Sequence, residues 1–221
     1  MEKTLLFLYL AMLVCSAAGF FYGVKKYIGP HTPLYASMIV LGVGCIMIGR
    51  AYSFLRILTG LPVTGIFHAG ILGTVGAFAF FFSANFGQID SLVDGGEKEL
   101  ARYRVIGIPG ALVPCLLYAF IALSPAETGE KISDLIAALP IAAASYFHIK
   151  HFFIPDVDYG VVRCQRMYNI TAFCYGILCM LEMAATAYGM KTALIVICVL
   201  ECIASGILVP VMDRGVRKWS R

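Results

Sequence analysis

Long apolar runs alternate with short polar segments along the whole chain. Seven runs approach or exceed the roughly 20 residues a helix needs to cross the hydrocarbon core of a bilayer. They cover about 4–24, 34–58, 62–84, 105–124, 132–152, 167–188 and 191–212, with ends placed to within about 3 residues. In the sixth run Tyr168, Thr171, Tyr175, Cys179, Glu182 and Thr186 recur at spacings of three or four, so one helix face carries them as a polar stripe. Cys198, Glu201 and Ser205 repeat the pattern in the seventh. Such stripes on lipid-embedded helices are expected to face other helices. The pattern predicts an all-α integral membrane protein with seven transmembrane helices forming a single domain, 1–221. The first run is read as a retained span rather than a signal peptide, because it is long for the apolar centre of one.

Composition agrees. The chain is 60% hydrophobic and 14% charged, with a mean hydropathy of +0.85. Soluble domains carry about 25% charged residues. The longest connections, about 85–104 and 153–166, leave no room for a soluble domain.

The net charge of +4 follows from topology and requires no nucleic acid. Lys25, Lys26, Lys98, Arg102, Arg104, Lys150, Arg163, Arg166, Arg214, Arg217, Lys218 and Arg221 fall on one side of a seven-span arrangement. Only Lys3, Arg56, Lys131 and Lys191 fall on the other, with Arg50 inside a span. Positive charge collects on the cytoplasmic side. The N-terminus is therefore expected outside and the C-terminus in the cytoplasm, in a plasma or inner membrane. Six or eight spans would split the basic tail from the basic loops.

A weak internal repeat runs through the chain. AAGFFYGVKKYIGP (17–30) matches AAASYFHIKHFFIP (142–155), and GVGCIMIGRAYS (42–53) lies beside GILCMLEMAATA (176–187). The second pairing brings Arg50 within two positions of the equivalent of Glu182. Spans 1–3 and 5–7 then form two three-helix units joined by span 4. This 3+1+3 plan resembles, in architecture, that of the small sugar transporters and the proline-glutamine-loop proteins. The proline-glutamine dipeptide that marks the latter is absent from this sequence.

Chemistry concentrates in two places. Arg50, His68, Glu182 and Glu201 are ionisable residues within apolar runs, where charge is costly and is therefore paired, buried or lining a path. At about 1.5 Å rise per residue they lie roughly 12, 9, 9 and 15 Å below the outer ends of their helices. They are expected to share the outer half of the membrane, with Tyr52 and Ser53 beside Arg50 and with Tyr175 and Ser205 on the polar stripes. Arg50 suits an anionic group, and Glu182 or Glu201 a cationic group or a proton. A simple buried pair, or an arginine reaching for the headgroups, would reduce the cluster to scaffolding. The second place is a cytoplasmic mouth. His148 and His151 lie one turn apart, followed by Asp156, Asp158 and Tyr159 and accompanied by Lys150, Arg163 and Arg166. An interfacial anchor or anion-binding rim fits this mixture better than a metal site. The charges of 87–104 are expected on a short amphipathic turn facing solvent. Gly65, Gly70, Gly73 and Gly76 make a face for close helix approach, and Pro109 and Pro114 favour a bend in span 4.

No cofactor is implied. Span 7 lacks the central lysine a retinal protein requires, Lys191 being at its edge. The eight cysteines show no metal-ligand spacing and are expected to be free apolar thiols. Three functions remain. The first is a small-solute transporter with a polar site in the outer half, a proton being a candidate coupling ion. The second is a receptor-like subunit that binds a small ligand and docks a protein on its basic cytoplasmic face. The third is an intramembrane enzyme acting on lipid. No catalytic residue or metal ligand is assigned, because no Ser–His pairing and no three ligands at one depth are evident.

Overall fold

The computed structural model describes residues 2–60, 66–90, 94, 96, 98–155 and 161–219, with Glu2, Val161, Arg163 and Trp219 described in backbone alone. Among them there is no strand. The helices are α1 (Glu2–Tyr27), α2 (Leu34–Thr59), α3 (Ala69–Ser83), α4 (Ala101–Ala122), α5 (Thr128–Phe153), α6 (Val161–Ala187) and α7 (Lys191–Trp219). Each, α3 with the π-helical turn that continues it, is long and apolar enough to cross a membrane.

Boundaries follow local chemistry. Gly60 ends α2 at φ 66°, a conformation that costs glycine nothing because it has no Cβ. Gly189 (φ 64°) turns the chain between α6 and α7 in the same way. The third helix begins at Ala69 rather than near 62, and His68 is its N-cap, accepting a hydrogen bond at Nδ1 from the Ile71 N–H (3.3 Å). Hydropathy does not register the cap, because it measures apolarity and not where a helix starts. α7 runs past 212 to Trp219 because helices continue through polar turns after hydropathy has fallen. α4 is continuous through Pro109 and Pro114.

Six helices close a ring. α1 packs on α2 and α7, α2 on α3, α3 on α5, α5 on α6 and α6 on α7; α4 lies against α5 and α6 at the periphery. Glycines let α2 and α3 approach closely. A Cβ on Gly73 would stand 2.7 Å from Gly49 Cα, and one on Gly76 3.0 Å from Cys45 Sγ. These glycines serve packing, while Gly65 lies outside the described residues. Large apolar side chains face outward, Phe7 at 70% and Leu123 at 82% exposure, while Arg50, Asn85, His148, His151, Glu201 and Asp213 are turned inward. That inverted distribution fits a bilayer as solvent.

Candidate functional site

The glycine seam between α2 and α3 lets the α2 face carrying Arg50 sit deep in the ring. Arg50 is 8% exposed. Its Nη1 donates to Glu182 Oε1 (2.9 Å) and Oε2 (2.8 Å), a fork on one carboxylate, and its Nη2 donates to Glu201 Oε2 (2.5 Å). Tyr9 of α1 adds a fourth helix, its hydroxyl donating to Glu182 Oε1 (2.8 Å). Glu201 is fully buried, and its Oε1 has no hydrogen-bond partner among the described residues. One guanidinium thus faces two carboxylates. With all three ionised, the cluster carries one excess negative charge in a place where an uncompensated charge is strongly disfavoured. One proton would balance it.

Above the cluster a cavity of about 430 Å³ opens toward the end of the bundle that carries the N-terminus. Arg50 and Glu182 form its floor. Ser53, Arg56, His68 and Thr74 line one side, and Glu127, Glu130, Ser133 and Asp134 line the other. Glu130 and Asp134 sit one turn apart on α5, whose start is tied down by the Ser133 hydroxyl donating to the Ile66 carbonyl (2.7 Å). A smaller space of about 20 Å³, enough for one water, lies between Arg50, Thr74, Phe78 and Tyr175. Below it Phe78 stacks on Tyr175 (6.0 Å between centroids) and packs edge-on against Phe81 (5.5 Å).

The expected group therefore converges, with corrections. Arg50, Glu182 and Glu201 meet directly, and Tyr175 is buried beside them. His68 is not a helical residue some turns into the span: it caps α3, stacks on Tyr52 (5.4 Å) and lines the cavity wall. Burial, and then the charge of Arg56, hold its imidazole below the ordinary histidine range. Ser205 is buried but donates to the Cys202 carbonyl of its own helix (3.2 Å), so it serves the helix and not the cluster. Thr171 faces an outward groove. Three of the five guanidinium N–H donors of Arg50 are engaged by carboxylates.

At the other, basic end the residues expected to form a mouth make a closed network instead. His148 and His151 are fully buried rather than rimming an opening. His148 Nδ1 lies 3.0 Å from both Asn85 Nδ2 and Asn169 Oδ1. His151 has Asn85 Oδ1 at 2.9 Å from Nδ1 and Asp90 Oδ1 at 2.8 Å from Nε2. A π-helical turn, Ala84–Asp90, continues α3 and makes this possible: its i to i+5 repeat brings Asn85 and Asp90 onto one ring. Lys150, 2% exposed, donates to Asp90 Oδ1 and Asp94 Oδ2, both at 2.6 Å. Arg104 forks onto Asp94 (2.9 and 2.5 Å), and this bond, followed by that from Lys150, holds the Asp94 carboxyl well below the usual carboxylate range. The charges of that loop are thus not simply solvated. Arg166 donates to the Ile154 carbonyl (3.0 Å). The Arg163 side chain and Asp156, Asp158 and Tyr159 lie outside the described residues. Among the described residues no three His, Cys, Asp or Glu side chains converge as for a metal.

A second clasp at this end was missed. Asp213 accepts from Tyr27 (2.5 Å), Tyr22 (2.7 Å), Lys26 (3.1 Å) and Arg217 (2.6 Å). In the sequence it reads as one acid in a basic tail. Tyr9 and Asp134 were also passed over, each near the start of an apolar run.

No known protein family matches the chain, and no curated protein or solved structure is detectably similar to it.

Proposed function

We propose that the chain is a membrane transporter of small cationic or zwitterionic solutes, with its N-terminus outside, its C-terminus in the cytoplasm and a proton as coupling ion. The observation that carries this reading is the Arg50–Glu182–Glu201 cluster at the floor of a cavity open at one end. The cavity walls hold Glu127, Glu130, Asp134 and Glu182 against Arg56, Arg50 being matched by Glu201. Such a wall attracts positive charge. A cation seated beside Glu182 supplies the charge that a proton otherwise supplies, and that exchange links solute to proton.

The contact pattern supports the 3+1+3 plan. Shifting every helix by four maps α1–α2 onto α5–α6, α2–α3 onto α6–α7, and α1–α7 onto α5–α3. The two clasps obey the same shift. Lys26–Asp213 joins α1 to α7, and His151–Asp90 with Lys150–Asp90 joins α5 to α3. Lys26 and His151 are equivalent in the repeat of 17–30 and 142–155. Each clasp crosses from one three-helix unit to the other at the basic end, where a rocking motion would have to open a path.

The test is counterflow in proteoliposomes loaded with a graded set of primary to quaternary amines and neutral amino acids. Saturable exchange that Glu182→Gln abolishes is expected. Folded protein that exchanges none of them overturns the reading and leaves ligand sensing as the use of the cavity.

A further inference from the structure

We propose that the outward furrow between α6 and α7 binds one anionic phospholipid from the leaflet at the basic end of the bundle. The inference does not depend on transport. It needs only that the helices lie in a bilayer.

Two spaces follow one another along this seam. The first, about 450 Å³, is bordered by Cys164 and Met167 of α6 and by Val211, Arg214 and Lys218 of α7. The second, about 520 Å³, begins one turn further in, bordered by Cys174 and Ile177 of α6 and by Leu200, Ile203 and Ile207 of α7. On both helices the lining steps by three or four residues from one space into the next, so together they make a single furrow. From Arg214 to Leu200 it runs about 21 Å at 1.5 Å per residue, within the roughly 30 Å of the hydrocarbon core. At Gly215 a Cβ would collide with the Cys164 carbonyl, so the floor there is backbone against backbone.

Charge separates along this length. The inner part is apolar: its one hydroxyl, on Thr171, donates to the Met167 carbonyl (2.8 Å) and is spent on its own helix. The outer part carries Arg214, Arg217 and Lys218, all exposed. Arg214 and Lys218 make no hydrogen bond or ion pair among the described residues. Arg217 gives one nitrogen to Asp213 and keeps a side chain 60% exposed. Asp213, the neighbouring acid, is already engaged by Tyr22, Tyr27 and Lys26. A cationic rim at headgroup level above an apolar furrow complements an amphiphile with an anionic head and a hydrocarbon tail. A helix from another protein would fill the furrow without using the rim.

The experiment compares phosphatidylglycerol with phosphatidylcholine, added to the full chain in a mild detergent. Phosphatidylglycerol should raise the unfolding midpoint by about 3 °C or more over phosphatidylcholine and should appear in native mass spectra as a single adduct. The double variant R214Q/K218Q should lose that difference while keeping its midpoint in phosphatidylcholine. Cys174→Phe fills the exposed inner furrow with the charges intact and should lose the adduct too. An unchanged preference in both variants means diffuse attraction to a basic surface and overturns the proposal. So does a dimer that Cys174→Phe dissociates, since a second copy would then be the occupant.

Discussion

Replacing Arg50 by alanine tests whether the central cluster is a desolvated assembly. Arg50 is 8% exposed and Glu201 fully buried, and the two carboxylates share the three guanidinium bonds. Removing one member of a buried pair costs about 3–5 kcal/mol, because the survivor is left without compensation. Here two survivors face each other, so the upper part of that range applies. For a chain of this size 1 kcal/mol moves the unfolding midpoint by about 2–4 °C, so a loss of about 4–5 kcal/mol gives a fall of about 8–20 °C. With the exposed Cys115 and Cys174 replaced by serine in every variant, a thiol-reactive fluorophore reads this as a gain in labelling, since Cys179 and Cys198 are buried near the cluster. The triple variant R50A/E182Q/E201Q removes the stranded charges with the arginine and should recover at least half of the loss. A midpoint for R50A within about 1 °C of the parent, or a triple variant no more stable than R50A, would refute the reasoning.

Glu201→Gln keeps the shape and the acceptor for Arg50 Nη2 but removes the excess negative charge. Its midpoint should stay within about 4 °C of the parent, while uptake driven by a pH gradient drops to passive equilibration and solute exchange persists; continued concentration against a gradient would count against a proton at this site. The two clasps differ in burial, with the Lys150 side chain 3% exposed and that of Lys26 37%. Lys150→Met takes one buried donor from each of Asp90 and Asp94, leaving them His151 and Arg104, and should cost about 1.5–3 kcal/mol, whereas Lys26→Met should cost about 1 kcal/mol or less; the opposite ranking in thermal unfolding would sink the argument. His68 binds a proton less readily folded than unfolded, so its contribution is complete above the unfolded value near 6.5 and is lost as pH falls below it. Protonation also removes the Nδ1 acceptor for the Ile71 N–H. First-turn amides of α3 should therefore exchange faster at about pH 5 than at about pH 7.5 after correction for intrinsic rates, and equal protection at both would exclude the cap as a titrating element.

The seven helices were legible because hydropathy alone picks out lengths that span a bilayer. The Arg50–Glu182–Glu201 cluster was legible because ionisable residues inside apolar runs are rare and expensive. What escaped had a common physical origin. Asn85 and Asp90 act on one histidine ring only through a π-turn, and no 3.6-residue projection puts them on one face. Asp213 sits among Arg214, Arg217 and Lys218, so composition marks its surroundings as solvated tail, although its carboxylate turns inward onto Tyr27. His68 was placed on a helix because hydropathy carries the apolar run across it, while its ring caps the helix that begins at Ala69. Ser205 followed the polar stripe of α7 yet satisfied its hydroxyl on its own backbone, the usual alternative for a serine in a helix.

The two ends of the bundle treat acids in opposite ways, and on the transporter reading the difference has an energetic logic. At the open end Glu130 and Asp134 line the cavity, where their carboxyl groups can face a solute. At the basic end Asp90, Asp94 and Asp213 are each held by at least two donors from other helices. Opening an apolar seam there would expose hydrocarbon at about 25 cal/mol per Å², with nothing in water to offset it. Separating an ion pair into water instead trades attraction for hydration, and the two terms nearly cancel, as they do for solvated pairs worth about 0–1 kcal/mol. A seam closed by Lys26–Asp213 and Lys150–Asp90 is therefore specific in register when shut yet inexpensive to hydrate when opened. A gate that must cycle needs both properties, and a seam of leucines would supply only the first.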